Sequence, residues 1–232
     1  MMFINEIAKN YDAWYKKPLG AFVDLVETNT ALKLYSPAQG LHILDAGCGT
    51  GNFSIKLCKM GCKVTGIDIS EDMLAIARNK VRQGGLNAIF YKMDIYHLNF
   101  PDNYFDGIYS MAAFEFIHQP QEAYNELYRV LKPGGKLLIG AINRNSAWGK
   151  MYEKIGQQDP KSVFRNAALK TIDEFLRLDP DHLIATRGCV HIPPDASEES
   201  LTLEEEERLS QTSEPAFIIA LWQKPENIYN IL

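Results

Sequence analysis

Residues 45–52 read Asp-Ala-Gly-Cys-Gly-Thr-Gly-Asn, at the end of a short apolar run over residues 41–46. Three alternating glycines, Gly47, Gly49 and Gly51, forbid a continuous strand or helix there and favour a tight turn. Glycine reaches positive φ without strain, and its missing Cβ lets backbone approach a ligand. The stretch 52–60 has a helical pattern and is stopped by Gly61. A strand that passes into a helix through such a turn leaves free N–H groups at the helix start. In open α/β sheets, ligands bind in the crevice at the carboxyl ends of the strands.

The same alternation continues downstream. Residues 64–67 predict a second strand ending at Asp68, and Ser70 is a candidate N-cap for a helix running to about Val81, with Glu71 and Asp72 in its first turn. Residues 88–93 predict a third strand followed by Asp94, and 105–110 a fourth. A helix over 121–131 is closed by Pro133, Gly134 and Gly135, and a fifth strand follows at 136–142. Strands alternating with helices imply βαβ units and a parallel sheet with right-handed crossovers. Upstream, residues 4–35 read as one or two helices broken at Pro18 and Gly20. Downstream, 162–177 predicts a helix, and 183–191 and 216–222 predict a closing antiparallel pair. The acidic stretch 195–214, with Glu204 to Glu207 in a row, predicts a solvated helix or a loose surface excursion.

Composition removes several classes of function. A net charge of -5 gives no basic stripe of the kind duplex nucleic-acid binding needs, so no nucleic-acid partner is expected. The first residues lack the apolar core of a signal peptide, and no apolar run approaches the roughly 20 residues of a membrane helix. A cytoplasmic location follows as the expectation, and Cys48, Cys58, Cys62 and Cys189 fit it as free thiols. Cys58 and Cys62 are one helical turn apart but have no histidine nearby, so no metal site is expected.

A dinucleotide-binding turn has the form G-x-G-x-x-G. The spacing here, Gly47-x-Gly49-x-Gly51, is one residue shorter, and Asp45 stands ahead of it. This segment resembles the first motif of the class I S-adenosylmethionine-dependent methyltransferases, an acid followed by G-x-G-x-G. The segment 66–74, with Asp68, Ile69, Ser70 and Met73, is similar to the family's second motif. Met93-Asp94-Ile95 stands where its third lies. Residues 105–117 resemble the family's F-D-x-V-x-S-x-x-x-L-E-H, with Phe116 where the histidine often stands. Residues 126–137 resemble its helix-turn-strand signature. The N-P-P-Y-type tetrapeptide of many nucleic-acid amino-methylases is absent; Ser110-Met111-Ala112-Ala113 occupies its place. The set is most similar to the small-molecule group related to the ubiquinone and menaquinone methylases.

The resemblance implies an α/β, Rossmann-like, mostly parallel seven-stranded sheet with helices on both faces and an antiparallel C-terminal strand pair. It implies one domain over 1–232: a helical lid at 1–35, a cofactor-binding core at 41–142, and C-terminal helices and strands at 143–232. The implied cofactor is S-adenosylmethionine. Its implied binding residues are Tyr11, Asp45, Gly47, Gly49, Gly51, Asn52, Asp68, Ile69, Met73, Asp94, Ile95 and Ser110. Asp68 would take the ribose hydroxyls and Asp94 the adenine amine. Methyl transfer from a sulfonium to a small-molecule acceptor is an in-line displacement that needs alignment and water exclusion, and a base only if the nucleophile starts protonated. Candidates for catalytic roles are Tyr15, Glu115 and His118, with His97 a further possible base, and Tyr11, Trp14 and Tyr15 could cap the pocket. The alternatives are a nicotinamide oxidoreductase, disfavoured by the glycine spacing, and a non-catalytic methyltransferase-like subunit.

Overall fold

The computed structural model of the protein describes residues 6–226. Seven strands form one sheet: β1 (His42–Ala46), β2 (Lys63–Asp68), β3 (Ala88–Lys92), β4 (Phe105–Met111), β5 (Leu131–Ile142), β6 (Leu183–Cys189) and β7 (Phe217–Gln223). Their order is β3-β2-β1-β4-β5-β7-β6. The first five run parallel and β7 pairs antiparallel to both β5 and β6. The chain leaves β1 toward β2 on one side and later places β4 on the other. The sheet therefore reverses its winding at the β1–β4 edge, and the Gly47–Gly51 turn sits at that reversal.

Side-chain alternation along the strands divides the interior in two. Leu137, Ile139, Ile218, Ala220 and Trp222 face one core, whereas Leu138, Phe217, Ile219 and Leu221 face the other. The first core is covered by α5 (Pro120–Val130) through Ala123, Tyr124, Leu127 and Val130, a helical spacing with Pro120 in the first turn. The second is covered by α2 (Pro18–Leu34) and α3 (Asn52–Lys59), through Phe22, Val23, Val26, Phe53 and Leu57. In α4 (Glu71–Gln83) the Ser70 hydroxyl accepts the Met73 N–H at 3.3 Å, which is the N-cap that the sequence suggests.

Three local expectations change. The N-terminal region is two helices, α1 (Glu6–Trp14) and α2, divided just before Pro18, which opens α2, but Gly20 lies inside α2 and does not break it. The fifth strand begins at Leu131, because Pro133, Gly134 and Gly135 form an irregular stretch between two paired segments of β5. Residues 162–177 are not one helix. A 3-10 turn at Val163–Asn166 and a short α7 (Ile172–Leu176) are separated by extended chain in which Lys170 bridges to Asn143. Thr171 starts α7 with a capping box to Glu174, so the second helix nucleates afresh. Before it lies α6 (Ala147–Gln158). The acidic excursion forms α8 (Leu203–Ser210), and Glu206 is buried because its carboxylate accepts the backbone N–H groups of His191 and Ile192. No helix among the described residues is long and apolar enough to cross a membrane.

Candidate functional site

The turn after β1 is held from below. Gly47 and Cys48 both donate their N–H to the carbonyl of Ile67, at 2.8 and 2.9 Å. Gly47 has φ 73°, and a Cβ there would lie 2.5 Å from the Cβ of Ala113. Gly51 has φ 78°, and its Cβ would meet that of Ala77 at 3.0 Å. Only glycine fits either position without moving a neighbouring loop or helix. Asp45 is 1% exposed and its Oδ2 accepts the Ser54 hydroxyl at 2.5 Å. Burial pushes its carboxyl up to about 6, against the lowering effect of Ser54. Asp45 thus braces the start of α3 behind the turn and also lines the crevice above it.

Asp68 ends β2 half-buried. Its Oδ2 accepts the Gly49 N–H at 2.9 Å and its Oδ1 the Ser70 N–H at 2.8 Å. Burial raises its carboxyl above the usual range despite these donors. The residue therefore ties the glycine turn to the next strand end, a structural part that its position in the sequence does not reveal. Ile69 beside it is 55% exposed, while Met73 is buried beneath Gly49. Asp94 follows β3, with its Oδ1 accepting the Tyr96 N–H at 3.1 Å, and Ile95 is buried. Ser110 is fully buried and donates to the Ala46 carbonyl at 2.8 Å, joining β4 to β1. These strand-end residues form one edge of the carboxyl end of the sheet.

The N-terminal helix lies across the glycine turn. Asp12 Oδ1 accepts the Thr50 hydroxyl at 2.7 Å and Asn52 Nδ2 at 3.2 Å, and its Oδ2 pairs with Lys80 Nζ at 2.7 Å. Lys80 also donates to Asn52 Oδ1 at 2.6 Å. Burial alone would raise the Asp12 carboxyl, but Lys80, Thr50 and Asn52 outweigh it and hold it below the usual range. Tyr11 and Tyr15 share a hydrogen bond at 3.0 Å.

Two cavities meet under this helix. A crevice of about 50 Å³ is lined by Asp45, the glycine turn and Asn52. A chamber of about 560 Å³ opens beside it, walled by Trp14, Phe116, Trp148, Tyr152 and Phe164. Tyr11, Tyr15, Glu27 and Ala112 line both. Glu115 borders the chamber, is 2% exposed, and its Oε2 is buried without a hydrogen-bond partner among the described residues. Burial pushes its carboxyl up to about 7, with Lys170 pulling the other way. Of the sequence candidates, Tyr15 and Glu115 are brought together at the chamber. His97 and His118 are exposed and line neither cavity. Cys58 and Cys62 face separate carbonyls, of Asn87 and Ala38. Among the described residues no group of three or more His, Cys, Asp or Glu side chains is placed to hold a metal.

The sequence reading missed Asp12, Lys80, Glu27, Trp148, Tyr152 and Phe164. Glu27 left only a weak trace: it is a carboxylate next to the buried Val26 in α2.

Residues 44–139 match the family described as "Methyltransferase domain". The chain is 40% identical over 107 residues to a "Ubiquinone biosynthesis O-methyltransferase" of Coxiella burnetii, a match spanning 46% of each chain. The chain therefore spans about half the length of that relative. It is 33% identical over 142 residues to a "Phosphatidylethanolamine N-methyltransferase" of Cereibacter sphaeroides, covering 60% of this chain and 68% of that one. A Thermotoga maritima structure titled a SAM-dependent methyltransferase, possible histamine N-methyltransferase, superposes with a TM-score of 0.69 at 24% identity, over 93% of this chain and 95% of that one.

Proposed function

The chain belongs to the class I S-adenosylmethionine-dependent methyltransferases, and on that premise we propose that it methylates a small molecule held in the aromatic chamber. The observation that carries this reading is the junction of the two cavities: the crevice at the glycine turn opens onto the chamber through Tyr11, Tyr15, Glu27 and Ala112. Donor and acceptor sites that share walls are what an in-line transfer requires. Family membership sets aside the nicotinamide alternative.

The residues present fit the cofactor. The Gly47 cradle is one that a Cβ would fill, the Asp68 carboxylate accepts the Gly49 N–H of the same turn, and Asp94 follows the end of the next strand, β3. The glycine turn and Asn52 would hold the amino-acid end, Asp68 the ribose hydroxyls, and Asp94, Ile95, Ile69 and Met73 the adenine. Asp45 and Ser110 support these from behind. When bound, S-adenosylmethionine supplies a methyl group on a sulfonium that leaves as a neutral thioether. The chain's own part is to align the acceptor, exclude water with its aromatic walls, and accept a proton at Glu115 where the acceptor carries one. The free cysteines support a reducing compartment, and we place the protein in the cytoplasm.

Asp68→Ala is expected to weaken S-adenosylhomocysteine binding by about 1.5–3 kcal/mol, the scale of hydrogen bonds to a charged group. That is roughly tenfold to a hundredfold in dissociation constant. Calorimetric titration of the variant checks it, and an unchanged affinity removes Asp68 from the cofactor site.

We also propose that α1 acts as a lid. With Asp12 latched to Thr50, Asn52 and Lys80, the crevice beneath is narrow, so entry of a nucleoside-sized cofactor requires the helix to lift. Backbone amides of α1 should exchange faster in the free protein than with S-adenosylhomocysteine bound. Hydrogen exchange by mass spectrometry reads this directly, and equal protection in both states would make α1 a static part of the core. The lid expected from the sequence ran over 1–35; residues 1–5 lie outside the described residues, and α2 packs into the core through Phe22, Val23 and Val26.

A further inference from the structure

We infer that the chamber selects an acceptor bearing a basic nitrogen on an apolar, ring-sized body. The inference rests on the proposed methyl transfer and names the chemistry of its acceptor. Among the described residues lining the chamber, Glu27 and Glu115 are the only charged ones. No salt bridge reaches either carboxylate among the described residues. Two acids thus face a space whose other walls are apolar or aromatic, and each repels the charge of the other. An isolated buried carboxylate is costly, and a cation placed between two of them relieves both desolvation and mutual repulsion. An acidic acceptor would add negative charge beside two acids that burial already holds toward the neutral form, and a neutral one would leave that burial cost unrelieved.

The walls point the same way. Tyr152 and Phe164 stack at 4.0 Å between ring centroids with planes 18° apart, and Trp148 tilts against Tyr152 at 5.9 Å. Aromatic faces attract cations and also pack flat apolar bodies. The buried, unpartnered Oε2 of Glu115 marks where the ammonium would donate. In turnover the ionised Glu115 carboxylate takes one proton from the ammonium and becomes a neutral acid. The freed nitrogen lone pair then forms the new N–C bond as the C–S bond breaks, its electrons going to sulfur. The products are a methylated ammonium and a neutral thioether.

The test is calorimetric titration of the full chain, saturated with S-adenosylhomocysteine, using three matched probes: 2-phenylethylamine, 2-phenylethanol and 3-phenylpropionate. The amine is expected to bind at least about tenfold more tightly than either counterpart. That preference is expected to shrink to about threefold or less in Glu27→Gln and Glu115→Gln, which keep side-chain volume and remove the charge. S-adenosylhomocysteine binding by each variant verifies its fold. Equal binding of the three probes, no amine binding, or a preference that survives in both variants overturns the inference while leaving the methyltransferase reading intact. Failure of the unsubstituted chain to bind S-adenosylhomocysteine overturns that reading instead.

Discussion

Trp222→Ala is expected to lower the free energy of unfolding by about 3–5 kcal/mol, the range for truncating a buried aromatic residue. Trp222 in β7 is fully buried, and its indole N–H donates to the Asp179 carbonyl at 2.8 Å. Its ring meets Tyr124 and Phe175 edge-on, at 5.3 and 5.7 Å. One side chain thus joins β7 to α5, α7 and the loop after α7. The substitution removes the packing and leaves a carbonyl without its donor, and the neighbouring rings are too rigid to close the gap. Urea unfolding with linear extrapolation measures the loss. A loss below about 1 kcal/mol would mean that this face of the sheet is not closely packed. Trp222 lines neither cavity, so cofactor affinity of the folded variant should be unchanged.

Glu115→Gln should alter how stability depends on pH, by about 3 kcal/mol across the window between the ordinary carboxyl value of 4.5 and the raised value of about 7. The sign follows from proton binding. Between those two values the native protein holds a proton on Glu115 that the unfolded chain has released. Wild-type stability therefore falls as pH rises through the window, and the loss is complete above about 7. Glutamine carries no such proton. Relative to their difference near pH 4.5, the variant should gain on the wild type as pH rises and hold that gain above pH 7. The charge on Glu115 also raises the Glu27 carboxyl, so its removal in the variant relieves Glu27 and acts in the same direction. Paired urea titrations at several pH values check this. A difference that does not change with pH would show that Glu115 titrates as an ordinary solvated acid.

The parts of this site legible in the sequence are those built from local chemistry. The glycine turn announces itself because its positive-φ positions accept little else, and the acids at 45, 68 and 94 stand out because each lies at or just past the end of a β-compatible run. Alternation along β5 and β7 likewise encodes which residues face which core. The Asp12–Lys80 latch and the meeting of Glu27 with Glu115 are not legible in this way. Each joins residues far apart in the chain, and nothing in either neighbourhood signals the other. The helix expected over 162–177 fails for a related reason. Lys170 pairs with Asn143, and this non-local bridge overrides helical periodicity until Thr171 caps a new start. Asp68 shows the limit from the other side: its place in a motif suggests a ligand contact, and only the fold shows that it also binds the N–H groups of Gly49 and Ser70.

The central claim is that the crevice at the carboxyl end of β1 is an S-adenosylmethionine site. Isothermal titration of the unsubstituted chain with S-adenosylhomocysteine, S-adenosylmethionine and NAD tests it most directly. One equivalent of either sulfur nucleoside should bind, NAD should give no saturable heat, and Asp68→Ala should weaken the sulfur nucleosides by roughly tenfold to a hundredfold. Saturable NAD binding with no response to S-adenosylhomocysteine would contradict the account.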